Sequence, residues 1–576
     1  MGLLNSALHI GRNAILGYQG ALQVVGSNVS SAGSPDYTRL SPHLSPLQGS
    51  LQVEGLQPGA GVALGDIRRN VDEALEDRLR LAIGDQESAL EQQQALSQIE
   101  TFFDDINGTG ISSALGTFFN TFDDLQNTPE DAALRDLTIN NGATLASSIQ
   151  SLRSQIEQSF EDGNSRITDL VKQADEVAQS VADLNKRIAI AEGSSSSTAT
   201  GLRDQRDALL RELSTYFDIS VKEQSDGAIN VYVGSETLIQ GNMYRGLATE
   251  DKTQSGMMFT SIRFADTGAE VAISGGRLGG ILIARDTLGR DQIERLDELA
   301  GALIYEMNRL HADGQGLVGL TDVTATYDLL ASNVSLGGTD TGLKQAVQGG
   351  SFFVTVADEA TGTPVSYRID VVVEGSEEDT TLDSLAADID SLVTGVSAEV
   401  TSDNRLKISA DDGFTFTFGH DGNQQREDTS GVLAALGINT FFSGSDAGDI
   451  EVNSAIADHP ELLAASSVFL AGDATTARRI AELGDQTSAL LDGVSITDFY
   501  NTIAGSVAVS ASAANDKADA AASVLSVLQA QRESISGVSL DEEAIALLKY
   551  ERSFQGASRF VRVVDDLISE LVALVT

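Results

Sequence analysis

The sequence predicts a multidomain α+β protein with N- and C-terminal α-helical coiled-coil arms, a layer of long helices carrying a small antiparallel sheet, and an inserted β-rich outer domain. Three observations predict it. Apolar residues recur at heptad spacing at both ends of the chain. Long Glu/Gln/Leu/Ala-rich stretches lie inside those ends. Between about residues 320 and 449 the texture turns to Thr, Val, Asp, Ser and Gly, with apolar residues at every second position. The order of textures divides the chain into an arm with an extended segment (1–65), a first helical part with a small sheet (66–319), the β-rich insertion (320–449), a second helical part (450–534) and a closing arm (535–576).

In the first arm Leu4, Leu8, Gly11, Ile15, Tyr18, Leu22, Val25 and Val29 step alternately by 4 and 3. In the last, Leu547, Tyr550, Phe554, Ala557, Val561, Val564, Ile568, Leu571 and Val575 do the same, so each end carries a coiled-coil seam. At 1.5 Å per residue the seams run roughly 38 and 42 Å, which lets them pair along nearly their whole lengths. Ser539 followed by Glu542, with Asp541 to Glu543 in the first turn, predicts a capping box at the start of the last helix. Gly11, Gly17, Gly20 and Gly26, with Ala7, Ala14 and Ala21, form a small-residue strip on which another helix can pack closely. Seam spacing alone is equally an intramolecular coiled coil or an assembly surface. The apolar burial available falls short of the entropy of ordering the helices, which predicts arms that fray in the monomer and fold against neighbouring subunits.

The helical layer follows. Asp66 to Ile106 and Ala132 to Ala191 are proline-free apart from their flanks and read as long helices, and Gly193 to Gly201 (GSSSSTATG) reads as a polar loop joining antiparallel helices. Period two then appears in Ile229, Val231 and Val233 after the turn Asp226-Gly227, and a second strand pair is expected to flank Asp266-Thr267-Gly268. Helix returns over Arg290 to His311. In the insertion, strands are predicted around Tyr367, Ile369, Val371 and Val373, at VSAEV, at RLKIS and at FTFTF, with one helix at LDSLAADIDSLV. Helix resumes from Pro460 and ends in a long Ala/Ser/Val helix over about Thr497 to Ser534.

Composition narrows function. With 37 Lys+Arg against 84 Asp+Glu the net charge is −47, and only eight basic residues are Lys, so nucleic acid and anionic membrane are unfit partners. Cysteine is absent, which removes disulfides, thiol catalysis and Cys-ligated metals. No run reaches the ~18 apolar residues of a membrane span, and the N-terminus lacks the basic start of a secretory signal. Gly314 to Gly319 spells G-x-G-x-x-G, but after a helix, where a dinucleotide site needs a strand before it. His9, His43, His311, His420 and His459 are scattered and read as solvated or capping residues; no metal spacing, nucleophile elbow or EF-hand loop occurs. No catalytic, cofactor or metal site is predicted, and the chain reads as a non-enzyme.

Several stretches resemble the bacterial flagellar hook-associated protein 1 family, the first hook–filament junction proteins. NVSSAGSPDYTR (Asn28 to Arg39) is similar to the signature shared by flagellar rod, hook and junction proteins, with Asp36 where glycine is usual. LRDQRDALLRELS (Leu202 to Ser214), GGRLGGIL (Gly275 to Leu282), LHADGQG, Asp449 to Ser467 and above all Ser534 to Leu571 resemble the junction family in colinear order. Arg552 and Arg559 depart from it only on the outer face of the last helix. The resemblance implies an axial structural protein, exported unfolded through the flagellar type III apparatus without a cleaved signal and built as a homo-oligomeric ring next to the hook protein and hook-associated protein 3. It further implies that paired terminal helices form the inner tube and that an export chaperone binds the last helix, with Leu547, Phe554, Val561, Val564, Ile568 and Leu571 as its contacts. The alternatives are another axial protein, hook protein or hook-associated protein 3, and a secreted adhesin whose β domain binds ligand.

Overall fold

A computed structural model describes residues 2–34, 36–48, 59–103, 110–193, 199–254, 257–376, 378–421, 424–468 and 472–575, with the side chains of 2, 3, 254, 574 and 575 outside the description. The helices are α1 (Gly2–Ser31), α2 (Glu73–Phe102), α3 (Ile111–Leu125), α4 (Ala132–Gly193), α5 (Thr200–Tyr216), α6 (Gly276–Ile283), α7 (Arg290–Ala312), α8 (Leu382–Leu392), α9 (Val432–Leu436), α10 (Ser454–Asp458), α11 (Thr475–Leu483), α12 (Ile496–Ser536) and α13 (Leu540–Val575). The chain forms two compact units, one of residues 1–95, 161–285 and 512–576, the other of 96–160 and 286–511. The fold is the mixed one expected, with long helices and small antiparallel sheets.

In the first unit, strands β1 (Leu40–Pro46) and β2 (Val62–Arg69) pair antiparallel behind α1. Asp66 to Arg69, expected as the start of a helix, therefore belongs to a strand. Its ladder to Leu40–His43 satisfies backbone groups that helix would otherwise have paired, and α2 begins only at Glu73. Residues 132–193 form one unbroken helix of 62 residues, about 93 Å long, in line with the long helix expected over Ala132 to Ala191. The polar loop that follows falls at 194–198, outside the described residues. Beyond it α5 runs back along α4: Glu192 bonds Arg203, Asn185 bonds Arg206 and Gln173 bonds Tyr216. Strands β3 (Ser220–Glu223), β4 (Ile229–Val233), β5 (Glu236–Gln240) and β6 (Met243–Tyr244) form one sheet in that order. Ile229, Val231 and Val233 point into a core shared with Ile167, Leu170 and Val181 of α4 and Leu210 and Leu213 of α5.

The second strand pair is β7 (Leu247–Gln254) with β8 (Met257–Phe264), connected at 255–256, which lies outside the described residues. The turn Asp266-Thr267-Gly268 does not join the pair. It folds Glu270 back onto Arg263 through a single bridge. The GGRLGGIL stretch is α6 with its lead-in. Gly276 sits at φ +58 against the Tyr216–Phe217 peptide, and a Cβ on Gly280 would lie 2.6 Å from Ser88 O of α2. Glycine here lets a left-handed residue and a close helix contact coexist.

The second unit centres on α3, α7, α11 and the β-rich insertion. Phe118, Phe122, Phe441 and Phe442 are fully buried and pack in edge-to-face and tilted pairs, with ring centroids 4.8 Å apart for the edge-to-face pair Phe441 and Phe442. Strands β9 (Asp322–Thr324), β10 (Gly350–Asp358), β11 (Pro364–Val371), β12 (Val396–Val400), β13 (Leu406–Ala410) and β14 (Phe414–Phe418) make two three-stranded sheets, β11-β10-β14 and β12-β13-β9. With α8, capped by a Thr381/Ser384 capping box, they enclose a core that includes Phe352, Ile369, Leu385, Ile408 and Phe416.

His311 is not a solvated residue. It is wholly buried, its Nδ1 donates to Asn439 O at 2.8 Å, and its Nε2 accepts from Ala464 N at 2.9 Å. His420 is equally buried and bonds Thr417 Oγ1, whereas His9, His43 and His459 are exposed. Spacing along the chain cannot show burial made by distant backbone. The loop after α7 takes its glycines for contact too: Gly316 lies against Glu461 O, so no room is left there for a phosphate.

Candidate functional site: the paired terminal helices and their clasp

Both predicted seams are helical throughout their described length, and they pair with each other. Gly11 lies against Val561 and Phe560, and Asn28 bonds Glu543, so the helices run antiparallel in a register where paired numbers sum to 571 or 572. That register sets Leu8 level with Val564, Ile15 with Ala557, Tyr18 with Phe554 and Leu22 with Tyr550.

Burial within the seams is graded. Val25 is 2 % exposed and Val564 4 %, while Leu4, Leu8, Ile15, Tyr18, Leu22, Tyr550, Phe554, Val561 and Ile568 are half-buried. Val29, Leu547 and Leu571 stay 41 %, 38 % and 43 % exposed, and the side chain of Val575 lies outside the described residues. At the base of α1 the covered positions are Ala21, Val24, Val25 and Asn28, not Val29. A straight helix drifts by about 20° per heptad, so a strict seven-residue seam rotates out of the contact.

The glycine strip is covered otherwise than expected. Gly11 admits α13, but Gly17 and Gly20 face Leu44, Val62 and Leu64 of the β1–β2 hairpin, and Gly26 has nothing within 4 Å. Asn13 Nδ2 donates to Ala60 O at 3.1 Å, fixing the hairpin's edge along α1. A strand pair, with its side chains alternating, fits the flat strip that a helix was expected to fill.

Below the seam the two signature stretches meet in a polar clasp. Asn28, 1 % exposed, donates to Leu40 O (2.8 Å) and Glu543 Oε2 (2.9 Å) and accepts from Leu40 N and Tyr37 OH. Arg39 Nε donates to Glu543 Oε1 at 2.8 Å, its NH1 to Glu542 Oε2 at 2.6 Å and its backbone N to Ser536 O at 2.9 Å. Ser536 Oγ in turn donates to Asn70 O. The predicted capping box is thus only half used: Ser539 Oγ meets Glu542 N at 3.5 Å, and the Glu542 carboxylate goes to Arg39.

A second tier ties the clasp to the helical layer through LRDQRDALLRELS. Arg69 of β2 bonds Asp204 at 2.8 Å and Asp207; Arg211 bonds Asp36 at 2.9 Å and Glu76 at 3.2 Å; Arg532 bonds Glu76 at 2.9 Å. The Arg203 guanidinium bonded to Glu192 holds that carboxyl below its usual range, whereas burial raises Asp204 despite Arg69. Glu76 is 5 % exposed and shared by two arginines, an arrangement in which each partner satisfies a charge that burial would otherwise penalise. None of Asn28, Arg39, Glu76 or Glu543 was singled out from spacing. Glu543 offered one signal: it lies four residues before Leu547, the next step of the seam, where a charged residue stands in an apolar place. Among the described residues no group of three or more His, Cys, Asp or Glu is arranged to hold a metal.

Comparison with known proteins agrees with this architecture. A family model described as the flagellar hook-associated protein FlgK helical domain matches residues 96–324. Flagellar hook-associated protein 1 of Salmonella typhimurium is 25 % identical over 99 % of both chains. The Escherichia coli protein of that name is 24 % identical over 99 % of both, and the Bacillus subtilis one 23 % over 98 % of this chain and 97 % of its own. In fold, the flagellar hook junction protein FlgK from Burkholderia pseudomallei superposes with a TM-score of 0.50 at 16 % identity, covering 80 % of this chain and all of the other. Terminal helices closed on each other, together with these matches, support a structural axial role in the bacterial flagellum. The chain is similar to flagellar hook-associated protein 1 over nearly its whole length, and its residues 96–324 match the FlgK helical-domain model.

Proposed function

We propose that the antiparallel α1–α13 pair is the assembly unit of a ring joining hook to filament, in which copies of this chain pack side by side through apolar residues that the pair leaves outside. The observation that carries this reading is a stripe on α13: Phe560, Val563 and Leu567, at steps of 3 and 4 beside the seam, are 42–57 % exposed. An apolar run of that length on a chain with a net charge of −47 calls for a cover. The covered seam residues, from Leu4 to Val25 and from Tyr550 to Ile568, build the pair, and the stripe joins pairs. The hook protein and hook-associated protein 3 adjoin the ring.

Before assembly the chain travels through the type III apparatus without a cleaved signal, and an export chaperone covers Leu547, Phe554, Val561, Val564, Ile568 and Leu571. Residues 1–65 and 535–576 act as arms, 66–319 and 450–534 as the helical layer, and 320–449 as the projecting β domain, with no catalytic step anywhere. No described helix is long and apolar enough to cross a membrane. Deleting the gene in its host tests the reading: hooks without filaments and flagellin shed into the medium are expected, and intact filaments on the mutant refute it.

A further inference from the structure

We infer that Asn28 and Glu543 set the register in which the terminal helices pair. The apolar part of the seam cannot do so alone. Its residues are mostly aliphatic, mostly half-buried, and repeat every seven residues on both helices, as Ala7, Ala14 and Ala21 do beside it. A slip of one heptad therefore replaces one set of similar contacts by another.

The clasp does not survive that slip. Shifted one way, Glu543 comes level with Ala21; shifted the other way, Asn28 comes level with Tyr550. In the first case a carboxylate 2 % exposed in the native pairing loses the Asn28 amide and the Arg39 guanidinium together. In the second, an amide whose oxygen and nitrogen are both bonded loses the Glu543 acceptor. Burying either group without its partner costs more than an exchange of half-buried aliphatic contacts returns. Asn28 is itself held by Leu40 N and O, so its position is fixed by the β1 backbone before α13 docks. Glu543 thus reads one place along α1. This inference rests on the pairing of α1 with α13 within one chain and is independent of the ring.

Because the chain has no cysteine, engineered pairs report register without background. Ile15→Cys with Ala557→Cys places two cysteines level in the observed register; Ile15→Cys with Val564→Cys does so only after a slip of one heptad. In the full-length, otherwise unchanged chain the first pair should form an intrachain disulfide and the second should not. Adding Asn28→Leu and Glu543→Leu should let the second pair link to an extent comparable with the first. Glu543→Gln, which keeps an acceptor for Asn28, should retain the unchanged chain's pattern. If the double leucine variant links only through the first pair, register comes from the apolar seam and the inference fails. If it links through neither, the two residues supply pairing strength and not register, which overturns it as well.

Discussion

Arg39 is the residue on which the clasp depends most. It is 24 % exposed at its side chain, while the Glu543 carboxylate it meets is 2 % exposed. Arg39→Ala removes the cation and leaves the buried anion with the Asn28 amide alone, at a cost of about 2 kcal/mol. Amide exchange at Val24, Val25 and Asn28 should then speed up about 30-fold, since each 1.4 kcal/mol is a factor of ten; unchanged protection would contradict the account. A second residue-scale expectation concerns pH. Burial pushes His311 down to about 4, so the folded chain keeps it neutral while the unfolded chain protonates it below 6.5. Stability of residues 286–511 should fall as pH drops from 6.5 towards 4, by up to roughly 3 kcal/mol. Asp313 acts in the opposite sense. Burial first, then the neighbouring Asp428, raises it to about 8, so its neutral form is favoured in the fold and stability is lost as pH rises from about 4 to 8. Calorimetry of Asp313→Asn across that range should show the loss on the alkaline side diminished. These roles were hidden in the sequence because the partners of His311, Asp313 and Glu543 lie 115 to 515 residues away in the chain, and a hydropathy pattern marks only apolar positions.

At the scale of elements, periodicity carried most of the helices. Seam spacing located α1 and α13, the Leu202 to Ser214 stretch located α5, and alternation located β4, β12 and β14 to the residue or nearly so. It failed at β2, where Asp66 to Arg69 continue a polar texture but are held by a ladder to Leu40–His43, a pairing that no local signal encodes. It also left α3 unread, although Phe118, Phe119 and Phe122 share one face. Two substitutions in α1 should separate packing from propensity. Gly26→Ala meets open space and should stabilise the arm by up to about 1 kcal/mol; Gly11→Ala drives a methyl group into Val561 and Phe560 and should open the pair. Circular dichroism and exchange on the two variants would show opposite signs, and a gain in both would contradict the contact at Gly11. Exchange should also be graded along the arms. Protection is expected to be strongest at Val24, Val25, Asn28 and Glu543, where burial is near complete, and weakest at Leu4 to Leu8 and Leu567 to Leu571, where the helices are half covered or exposed. Frayed arms in the monomer, expected from their small burial, are in this view a property of the tips.

For the whole molecule, the residues that close the chain on itself and those that face outward are different sets on the same helix. Val561 and Val564 turn to α1, and Phe560 lays one ring edge against Gly11, while Val563 and Leu567 stay 57 % and 46 % exposed. The resemblance of the sequence to the hook-associated protein 1 family made the axial role legible at once, because the signature stretches are colinear and long. It did not reveal that two of those stretches, Asn28 to Arg39 and Ser534 to Leu571, owe their pattern to each other. The most direct test of assembly through the outward stripe is complementation of a strain deleted for the gene with Val563→Glu/Leu567→Glu. Neither residue belongs to the predicted seam, so the variant should fold and be exported. The account predicts variant protein in the culture medium and hooks that remain bare; filaments of normal length and number on those hooks would contradict it.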